Sequence, residues 1–208
     1  MKKMLAGLCN SCPLCRYARK KPDSLLGKIV CWHGSWCPAW KAWEQVYGEV
    51  AAAEVIVKET EPMTTAFLSM KGPYAQVSEA FNKLYGWIAL KGYQSSGPPL
   101  GIYFNAPGQV PDDELVWELL SPISEEVAPS EPDEQGFGIK ILEATQVASI
   151  THKGPYEEIG KTFEGLTAWI KDKGYEIAGP AQEVYLNNPA ETPPEELLTE
   201  VRFPVQGK

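Results

Sequence analysis

The chain repeats itself at an offset of 82 residues, and this duplication limits the folds that it can adopt. When the sequence is shifted by that offset, the letters KGPY at 71–74 align with the same letters at 153–156. The alignment needs no gap, and 21 of the 52 positions from 71 to 122 are identical to their counterparts. A period this long indicates two whole modules rather than a solenoid of short repeats. The duplication therefore predicts a fold built from two equivalent halves.

Both modules have the same predicted order of secondary structure. Runs rich in branched residues predict two strands at the start of each module, and two further strands end it. Between them, a Gly-Pro pair precedes apolar residues at spacings of three and four, which are typical of one helix face. Gly92 and Gly174 follow these helices and are placed as C-terminal caps. The helical stripes are Val77, Phe81, Leu84 and Ile88 in the first module and Ile159, Phe163, Leu166 and Ile170 in the second.

This pattern predicts an α+β fold whose two halves are related by a pseudo-twofold axis. Residues 53–122 and 137–206 each read strand-strand-helix-strand-strand, and the acidic segment 123–136 links them. A four-stranded sheet with one helix leaves one side open, so the halves are expected to pair into an eight-stranded antiparallel sheet with two main helices. Paired modules leave a groove along the axis, where ligands commonly bind.

Charge separates a short N-terminal head from the rest of the chain. Residues 1–50 carry a net charge of +5 and residues 51–208 carry −13. The overall charge of −8 argues against nucleic acid as a partner, since phosphate recognition needs clustered Lys and Arg. No apolar run approaches the about 20 residues of a membrane span. We expect a cytoplasmic protein with a head at 1–50 and a binding domain at 51–208.

The cysteines of the head are spaced for metal binding. In a reducing compartment, clustered thiols indicate a metal before a disulfide. Four cysteines, with His33 as a further donor, suit a structural zinc ion. A [4Fe–4S] cluster and free or disulfide-linked thiols are the alternatives. An amphipathic helix carrying Trp40 and Trp43 is predicted to end the head. The five cysteines are Cys9, Cys12, Cys15, Cys31 and Cys37.

Three stretches resemble a known family: the KGPY turns, EVYLNNPAETPPEEL (183–197) and TEVRFPV (199–205). The resemblance is to GyrI-like (DNA gyrase inhibitor-like) proteins and to effector-binding domains of AraC-type and multidrug-sensing MerR-type regulators, over about residues 53–206. It implies a curved eight-stranded sheet and a cleft for bulky, often aromatic or cationic molecules. It also implies a cleft glutamate on the last strand, which matches Glu200. Some members resemble hydrolases that open strained cyclopropane rings with a glutamate and a tyrosine.

The strand pattern itself also singles out two glutamates, one at the same place in each module. Glu118 shares a strand face with Val116 and Leu120, so its carboxylate is expected to be partly desolvated, which raises a carboxyl pKa unless a cation or hydrogen-bond donors compensate. Such a group suits a cationic ligand or general acid–base chemistry. The alternative is a solvated glutamate or, for Glu200, a pair with Arg202 on the same strand face.

Repeated aromatic residues complete the predicted site. Tyr103 and Tyr185 recur on the third strands, where a ring can stack on a flat ligand and a hydroxyl can donate a hydrogen bond. Ordinary sheet packing is the alternative for both. Trp87 and Trp169 lie beside the helical stripes, either as core residues or as cation–π walls of the groove.

These patterns predict a protein that binds bulky hydrophobic or cationic small molecules between its modules, as a sink or a sensor. No cofactor is expected in the binding domain. The first alternative is a hydrolase of strained or electrophilic small molecules, with Glu200 and Tyr185 as catalytic residues. The second is a protein-interaction module that contacts a partner such as gyrase. The head shows no helix-turn-helix, so the sequence does not favour a DNA-binding regulator.

Overall fold

The computed structural model describes two compact units. The sheet unit comprises Ile56–Tyr156 and Ile177–Gln206. The head unit comprises the described residues before Ile56 together with Glu157–Glu176 and Gly207. No helix among the described residues is long and apolar enough to cross a bilayer. The described residues are 8–9, 11–21, 24, 27–30, 37–41 and 55–207.

The order of elements confirms the two strand-strand-helix-strand-strand modules, and it adds one short strand after the main helix of the second module, so the sheet formed by the described residues has nine strands rather than the predicted eight. The head contributes α1 (Pro13–Lys20), and a short 3-10 turn precedes the main helix of each module. The first module contains β1 (Ile56–Glu59), β2 (Met63–Lys71), α2 (Val77–Lys91), β3 (Leu100–Tyr103) and β4 (Val116–Pro122). The second contains β5 (Phe137–Leu142), β6 (Gln146–Lys153), α3 (Ile159–Lys173), β7 (Glu176–Ile177), β8 (Ala181–Tyr185) and β9 (Leu198–Gln206).

Glycine ends both main helices, as the sequence predicted. Gly92 and Gly174 have φ angles of 74° and 83°, in the left-handed region that side chains with a Cβ disfavour. After α2, the N–H of Gly92 donates to the carbonyl of Ala89 and that of Tyr93 to Ile88, each at 3.1 Å. These bonds satisfy carbonyls at the end of the helix and turn the chain back toward the third strand.

The strand order confirms the pseudo-twofold sheet. In the described part of the chain the order is β1-β6-β9-β8-β3-β4-β2-β5, with the short β7 beside β9. If each strand of the main order is replaced by its counterpart in the other module and the order is then read from the opposite end, the same order results. The first strand of each module pairs with the second strand of the other, β1 with β6 and β2 with β5. Each half of the sheet is therefore completed by a strand from the other module.

The modules meet at the antiparallel pair of β3 and β8, and the pseudo-twofold axis passes through it. Gly101 lies opposite Glu183, which is its own counterpart in the repeat. Tyr103 and Tyr185 lie two residues further along each strand, so all four residues share one face of the sheet. A Cβ added to Gly101 would lie 2.8 Å from Cε2 and from the hydroxyl oxygen of Tyr103. The missing side chain at residue 101 therefore lets Tyr103 fold over the axis.

Helix α2 packs its apolar stripe on the face of the sheet that carries these tyrosines. Ala80, Leu84 and Ile88 are buried against Trp117 and Leu119 of β4. On the opposite face lies a second, smaller cluster, which contains no residue of α2. The two faces of the central strands are thus both buried but differ in their surroundings. The members of the second cluster are Phe67, Leu100, Ile102, Leu120 and Val184.

Within the head unit, α1 contacts the main helix of the second module. Arg16 Nε lies 2.9 Å from Asp172 Oδ1, and these two side chains form an ion pair. Trp40, the first apolar residue of the helix predicted to end the head, is described and helical, whereas the continuation from Trp43 onward lies outside the described residues. In the described part of the head, α1 therefore contacts the repeat through α3.

We expect Gly101→Ala to destabilise the protein by about 1–3 kcal/mol, because the new methyl group displaces the Tyr103 ring and its hydrogen bond. Urea unfolding measures this change. Gly86→Ala, in the interior of α2 with open space around it, is the matched control and should be neutral or stabilising by about 0.5–1 kcal/mol. Equal effects of the two substitutions would contradict the close packing at the axis.

Candidate functional site

Four tyrosines and one glutamate converge at the pseudo-twofold axis. Strands β3 and β8 carry Tyr103, Tyr185 and Glu183, which form the floor of the site. The two KGPY turns place Tyr74 and Tyr156 beside this floor. The Tyr74 ring lies edge-on to Tyr103 with centroids 4.9 Å apart, and Tyr156 lies edge-on to Tyr185 at 5.9 Å. We call this cluster the tyrosine–glutamate site. Its members are Tyr74, Tyr103, Tyr156, Tyr185 and Glu183.

A chain of hydrogen bonds runs along the floor of this site. The hydroxyl of Tyr185 donates to Glu183 Oε2 at 2.9 Å. The hydroxyl oxygens of Tyr103 and Tyr185 lie 2.6 Å apart. Because Tyr185 has a single hydroxyl proton and uses it on Glu183, Tyr103 is the donor between the two tyrosines. The chain therefore runs from Tyr103 through Tyr185 to the carboxylate.

Burial makes the Glu183 carboxyl a weaker acid than an ordinary glutamate. The residue is only 9% exposed, and none of the ion pairs among the described residues includes it. Loss of solvent outweighs the lowering effect of the Tyr185 and Tyr103 hydroxyls and raises the pKa of its carboxyl to about 7. Near neutral pH this group is therefore divided between its protonated and ionised forms.

The charge of Glu183 also reaches the two turn tyrosines. Burial and then the nearby Glu183 carboxylate raise the pKa of Tyr74 to about 12, and the same causes raise the pKa of Tyr156. Both rings are half-buried, so they form the accessible part of the site. Phe81 of α2 adds a further wall, because its ring lies edge-on to Tyr185 at 5.4 Å. The site thus combines one buried acid with several aromatic faces.

The structure places Glu118 and Glu200 on the other face of the sheet. Glu200 lies directly opposite Val184, so it shares the face that is turned away from Glu183 and Tyr185. The register of β3 and β4 puts Glu118 on that same opposite face. The expectation of one cleft shared by Glu200 and Tyr185 is therefore corrected, because the alternation of strand side chains separates them.

Each of these two glutamates forms an ion pair with a lysine of the other module. Lys58 Nζ lies 2.8 Å from Glu200 Oε1, although the orientation of the two groups leaves that oxygen without a hydrogen bond. Lys140 Nζ lies 2.6 Å from Glu118 Oε2, and Ser69 donates to the other oxygen at 3.1 Å. A carboxylate whose charge is already balanced by a lysine is a poor anchor for a cationic ligand. These two ion pairs instead suit a role in holding the modules together.

The two predicted tryptophans have their own partners in the protein. Trp87 stacks on Phe137 with centroids 5.5 Å apart and packs against the core beneath α2. Trp169, in the head unit, stacks on Tyr175 at 6.3 Å. The ammonium of Lys91 lies 5.3 Å from the centroid of the Trp87 ring, so a cation of the chain already contacts it. The core interpretation, which the sequence left open for Trp87, agrees with these contacts.

Sequence reasoning missed Glu183, although the repeat contains a signal for it. The stretches GIYFN (101–105) and EVYLN (183–187) align, and they differ most in chemistry at their first positions, where Gly101 stands against Glu183. Strand alternation places Glu183 on the same face as Tyr185. Glu118 and Glu200 were singled out instead, because a glutamate occupies this position in both modules. The better candidate for a ligand-binding residue is Glu183, since it occurs in one module only and its counterpart at the centre of the sheet is a glycine.

Residues 53–206 match the family model of the GyrI-like small molecule binding domain. The chain belongs to this family. Residues 53–206 thus form a GyrI-like small molecule binding domain, which follows the cysteine-containing head.

Known proteins similar to this GyrI-like chain include one curated relative and several solved structures. A DNA gyrase inhibitor of Erwinia billingiae (strain Eb661) is 28% identical over 137 residues, which cover 64% of this chain and 86% of that protein. The crystal structure of the EcmrR C-terminal domain has a TM-score of 0.62 at 18% identity, covering 76% of this chain and 99% of that chain. SAV2435 bound to tetraphenylphosphonium has a TM-score of 0.51 at 14% identity, with coverages of 74% and 94%. The structural likenesses support the fold.

The described cysteines of the head gather around a small apolar cluster. Cys9 is buried with Trp40, and Cys15 and Cys37 pack against them. Neither these cysteines nor Cys12 forms a disulfide with another described residue. Burial, and after it the neighbouring thiols of Cys9 and Cys12, raise the pKa of Cys15 to about 12. The described part of the head therefore holds Cys15 beside two other thiols and favours its protonated form.

Zinc in the head, with a [4Fe–4S] cluster as the alternative, stays a prediction. Among the described residues no group of three His, Cys, Asp or Glu side chains is arranged to hold a metal ion, and Cys31 and His33 lie outside these residues. Elemental analysis of protein purified without air tests the prediction. We expect about one zinc per chain, since a structural site needs four ligands for one ion. Iron with acid-labile sulfide would support the cluster, and protein without metal would contradict both.

We expect Glu183→Gln to stabilise the protein at pH 8 and to have little effect at pH 5. The pKa of about 7 in the folded state lies above the ordinary value of 4.5, so the folded state retains a proton that the unfolded state releases. The stabilisation linked to this proton is fully present below pH 4.5 and is lost as the pH rises through 7. Above pH 7 the expected gain is about 1–3 kcal/mol.

Urea unfolding at the two pH values measures this difference. Glu200→Gln is the matched control, because it makes the same chemical change at a carboxylate that already faces Lys58. It should show no gain at pH 8, since it removes one partner of an ion pair. An effect of Glu183→Gln that does not depend on pH would contradict the raised pKa.

Proposed function

We propose that this GyrI-like chain binds bulky aromatic cations at the tyrosine–glutamate site, as a sink or a sensor, with Glu183 as the charge anchor. The observation that carries the proposal is a buried carboxyl without a cationic partner among the described residues. Glu118 and Glu200 have lysine partners, so Glu183 differs from both in this respect. The family match supports a small-molecule ligand, and the unpaired acid supports a positive charge on it.

The chemistry of the site suits a cation that is large and apolar. An opposite charge close to Glu183 favours its ionised form and offsets the loss of solvent around it. The faces of Tyr74, Tyr156 and Phe81 provide cation–π and apolar contacts to the rest of the ligand. SAV2435, whose fold is similar, is bound to tetraphenylphosphonium, a cation of this class. That compound is therefore a suitable first probe.

We expect tetraphenylphosphonium to quench tryptophan or tyrosine fluorescence of the protein and Glu183→Gln to weaken binding by about 1–3 kcal/mol, as for the loss of a charged partner. Titration calorimetry gives the affinities directly. Glu200→Gln is the matched control and should bind like the unmodified protein, because its carboxylate lies on the other face of the sheet. The opposite result, with only Glu200→Gln impaired, would return the anchor role to Glu200.

The affinity for this permanent cation should also depend on pH in one direction. Only the ionised carboxyl attracts the cation, and the pKa of Glu183 is about 7. Binding should therefore strengthen by up to about tenfold from pH 6 to pH 8 and then level off. The Glu183→Gln protein should show a flat profile over the same range, and a parallel rise in both proteins would assign the pH effect to another group.

A hydrolase is the second candidate, and the hydrogen-bond chain is the observation that favours it. A carboxyl with a pKa near 7 can act as a general acid or base at neutral pH, and Tyr185 lies within hydrogen-bond distance of it. The geometry thus replaces the predicted pair of Glu200 and Tyr185 by Glu183 and Tyr185. Glu183 would give its proton to one carbon of the ring bond that breaks, water would add to the other carbon, and the proton that this water releases would return to Glu183, while Tyr185 orients the carboxyl.

Mass spectrometry of a cyclopropane-containing electrophile incubated with the protein separates this candidate from simple binding. If the chain is a hydrolase, the compound gains the mass of one water, and Glu183→Gln abolishes the turnover while Glu200→Gln retains it. Recovery of the intact compound after many equivalents of protein would contradict hydrolysis of that probe and leave binding as the function.

A role as a protein-interaction module rests on the similarity to the gyrase inhibitor of Erwinia billingiae. That name describes the relative, and a gyrase partner for this chain stays a prediction. The expectation that nucleic acid is not a partner and the expectation of a cytoplasmic protein also stay predictions.

A further inference from the structure

The two halves of the tyrosine–glutamate site differ in one row of side chains. In each module this row crosses three adjacent strands and lies on the face that carries the site. In both modules, each residue of the row lies directly opposite the next residue of the row on the neighbouring strand. The row is Tyr103–Trp117–Met70 in the first module and Tyr185–Thr199–His152 in the second.

In the first module the polar atoms of this region are bonded within the protein. The indole N–H of Trp117 donates to the carbonyl of Gly72 at 2.8 Å and so ties the KGPY turn to the sheet. The Trp117 ring lies edge-on to Tyr74 with centroids 6.1 Å apart. The hydroxyl of Tyr74 donates to the carbonyl of Asn105. An indole therefore fills this half of the site, and the Tyr74 hydroxyl already donates its proton within the protein.

In the second module, two hydroxyls of this region make no hydrogen bond to any described residue. Thr199 takes the place of Trp117 and is fully buried, and no described residue forms a hydrogen bond with its Oγ1. The hydroxyl of Tyr156 makes no hydrogen bond to any described residue, and its ring contact is with Tyr185. The turn is held instead by His152, whose Nε2 lies 3.3 Å from the carbonyl oxygen of Pro155.

The change from Trp117 to Thr199 also removes most of a side chain. In the first module an indole lies between the strand and the turn tyrosine, whereas the threonine that replaces it is far smaller. A buried hydroxyl without a partner lowers stability, because it has lost water and gained nothing in exchange. Such groups persist in proteins where a ligand or an ordered water satisfies them. The second-module side of the site is therefore both smaller in side-chain volume and polar.

We propose that this side is a polar subsite, in which Thr199 and Tyr156 bind a hydroxyl, amine or carbonyl group of the ligand. The subsite rests on the proposed function, since the same ligand places its positive charge at Glu183. It narrows the ligand class to aromatic cations that carry one hydrogen-bonding substituent on a ring. The two halves then have different roles, because the first module makes apolar contacts to the ligand and the second forms a hydrogen bond to its substituent.

A matched pair of probes tests the subsite. The first is tetraphenylphosphonium, and the second carries a hydroxymethyl group on one ring, tested as its meta and para isomers. At least one isomer should bind the unmodified protein about three- to tenfold more tightly than the parent, the range expected for one added hydrogen bond. Thr199→Val should abolish this preference, Thr199→Ser should retain it, and Glu183→Gln should weaken both probes equally.

Thermal unfolding without any ligand gives a second, independent measurement. Thr199→Val removes a hydroxyl that has no partner, so it should leave the melting temperature unchanged or raise it. Thr65→Val is the matched control, because Thr65 is equally buried but its hydroxyl donates to the carbonyl of Lys140 at 3.1 Å. The control should lower the melting temperature by about 2–4 °C.

The outcomes separate the subsite from the proposed function. Equal affinities for the probes, or a preference that survives Thr199→Val, would overturn the subsite while the charge anchor stands. Failure of every probe to bind would overturn the proposed function, and the unfolding experiment would then decide about Thr199 alone. A loss of stability in Thr199→Val as large as that in Thr65→Val would show that the hydroxyl is bonded within the protein and would overturn the inference.

Discussion

The pairing of β3 with β8 across the pseudo-twofold axis is the constraint on which the site depends. A residue on such an axis lies opposite its own counterpart, so identical acids there would face each other directly, and like charges in that position destabilise a sheet. The chain avoids this because Gly101 lies opposite Glu183. The glycine also leaves the room in which Tyr103 folds over the axis and reaches Tyr185. A symmetric fold thereby holds a single acid.

The two faces of the same sheet use carboxylates in different ways. On one face, Glu118 and Glu200 each pair with a lysine of the other module, so these ion pairs help to hold together strands from different modules. On the other face, Glu183 has hydroxyl donors but no cationic partner among the described residues, and its pKa rises to about 7. The difference between structural and ligand-binding acids is therefore a difference in what lies beside them, not in residue type.

The duplicated architecture lets each half be compared with the other inside one molecule. Where both modules have the same residue, as at the turn tyrosines and floor tyrosines, the shared element is the aromatic lining of the site. Where they differ, as at Gly101 against Glu183 and Trp117 against Thr199, the first module has a residue that serves packing and the second has a polar group. The chemistry of this GyrI-like domain is thus concentrated in the positions at which the repeat is no longer symmetric.

The repeat, the order of elements, the glycine caps and the recurring tyrosines could be predicted from the sequence, because each depends on local spacing or on identity between the modules. Strand alternation also indicated which residues share a face. The structure was needed to show that Lys58 and Lys140 reach the two repeated glutamates, and that Glu183 lies at the axis among four tyrosines. These outcomes depend on strand partners and register between distant segments, and no local pattern contains the identity of a residue's neighbour on the next strand.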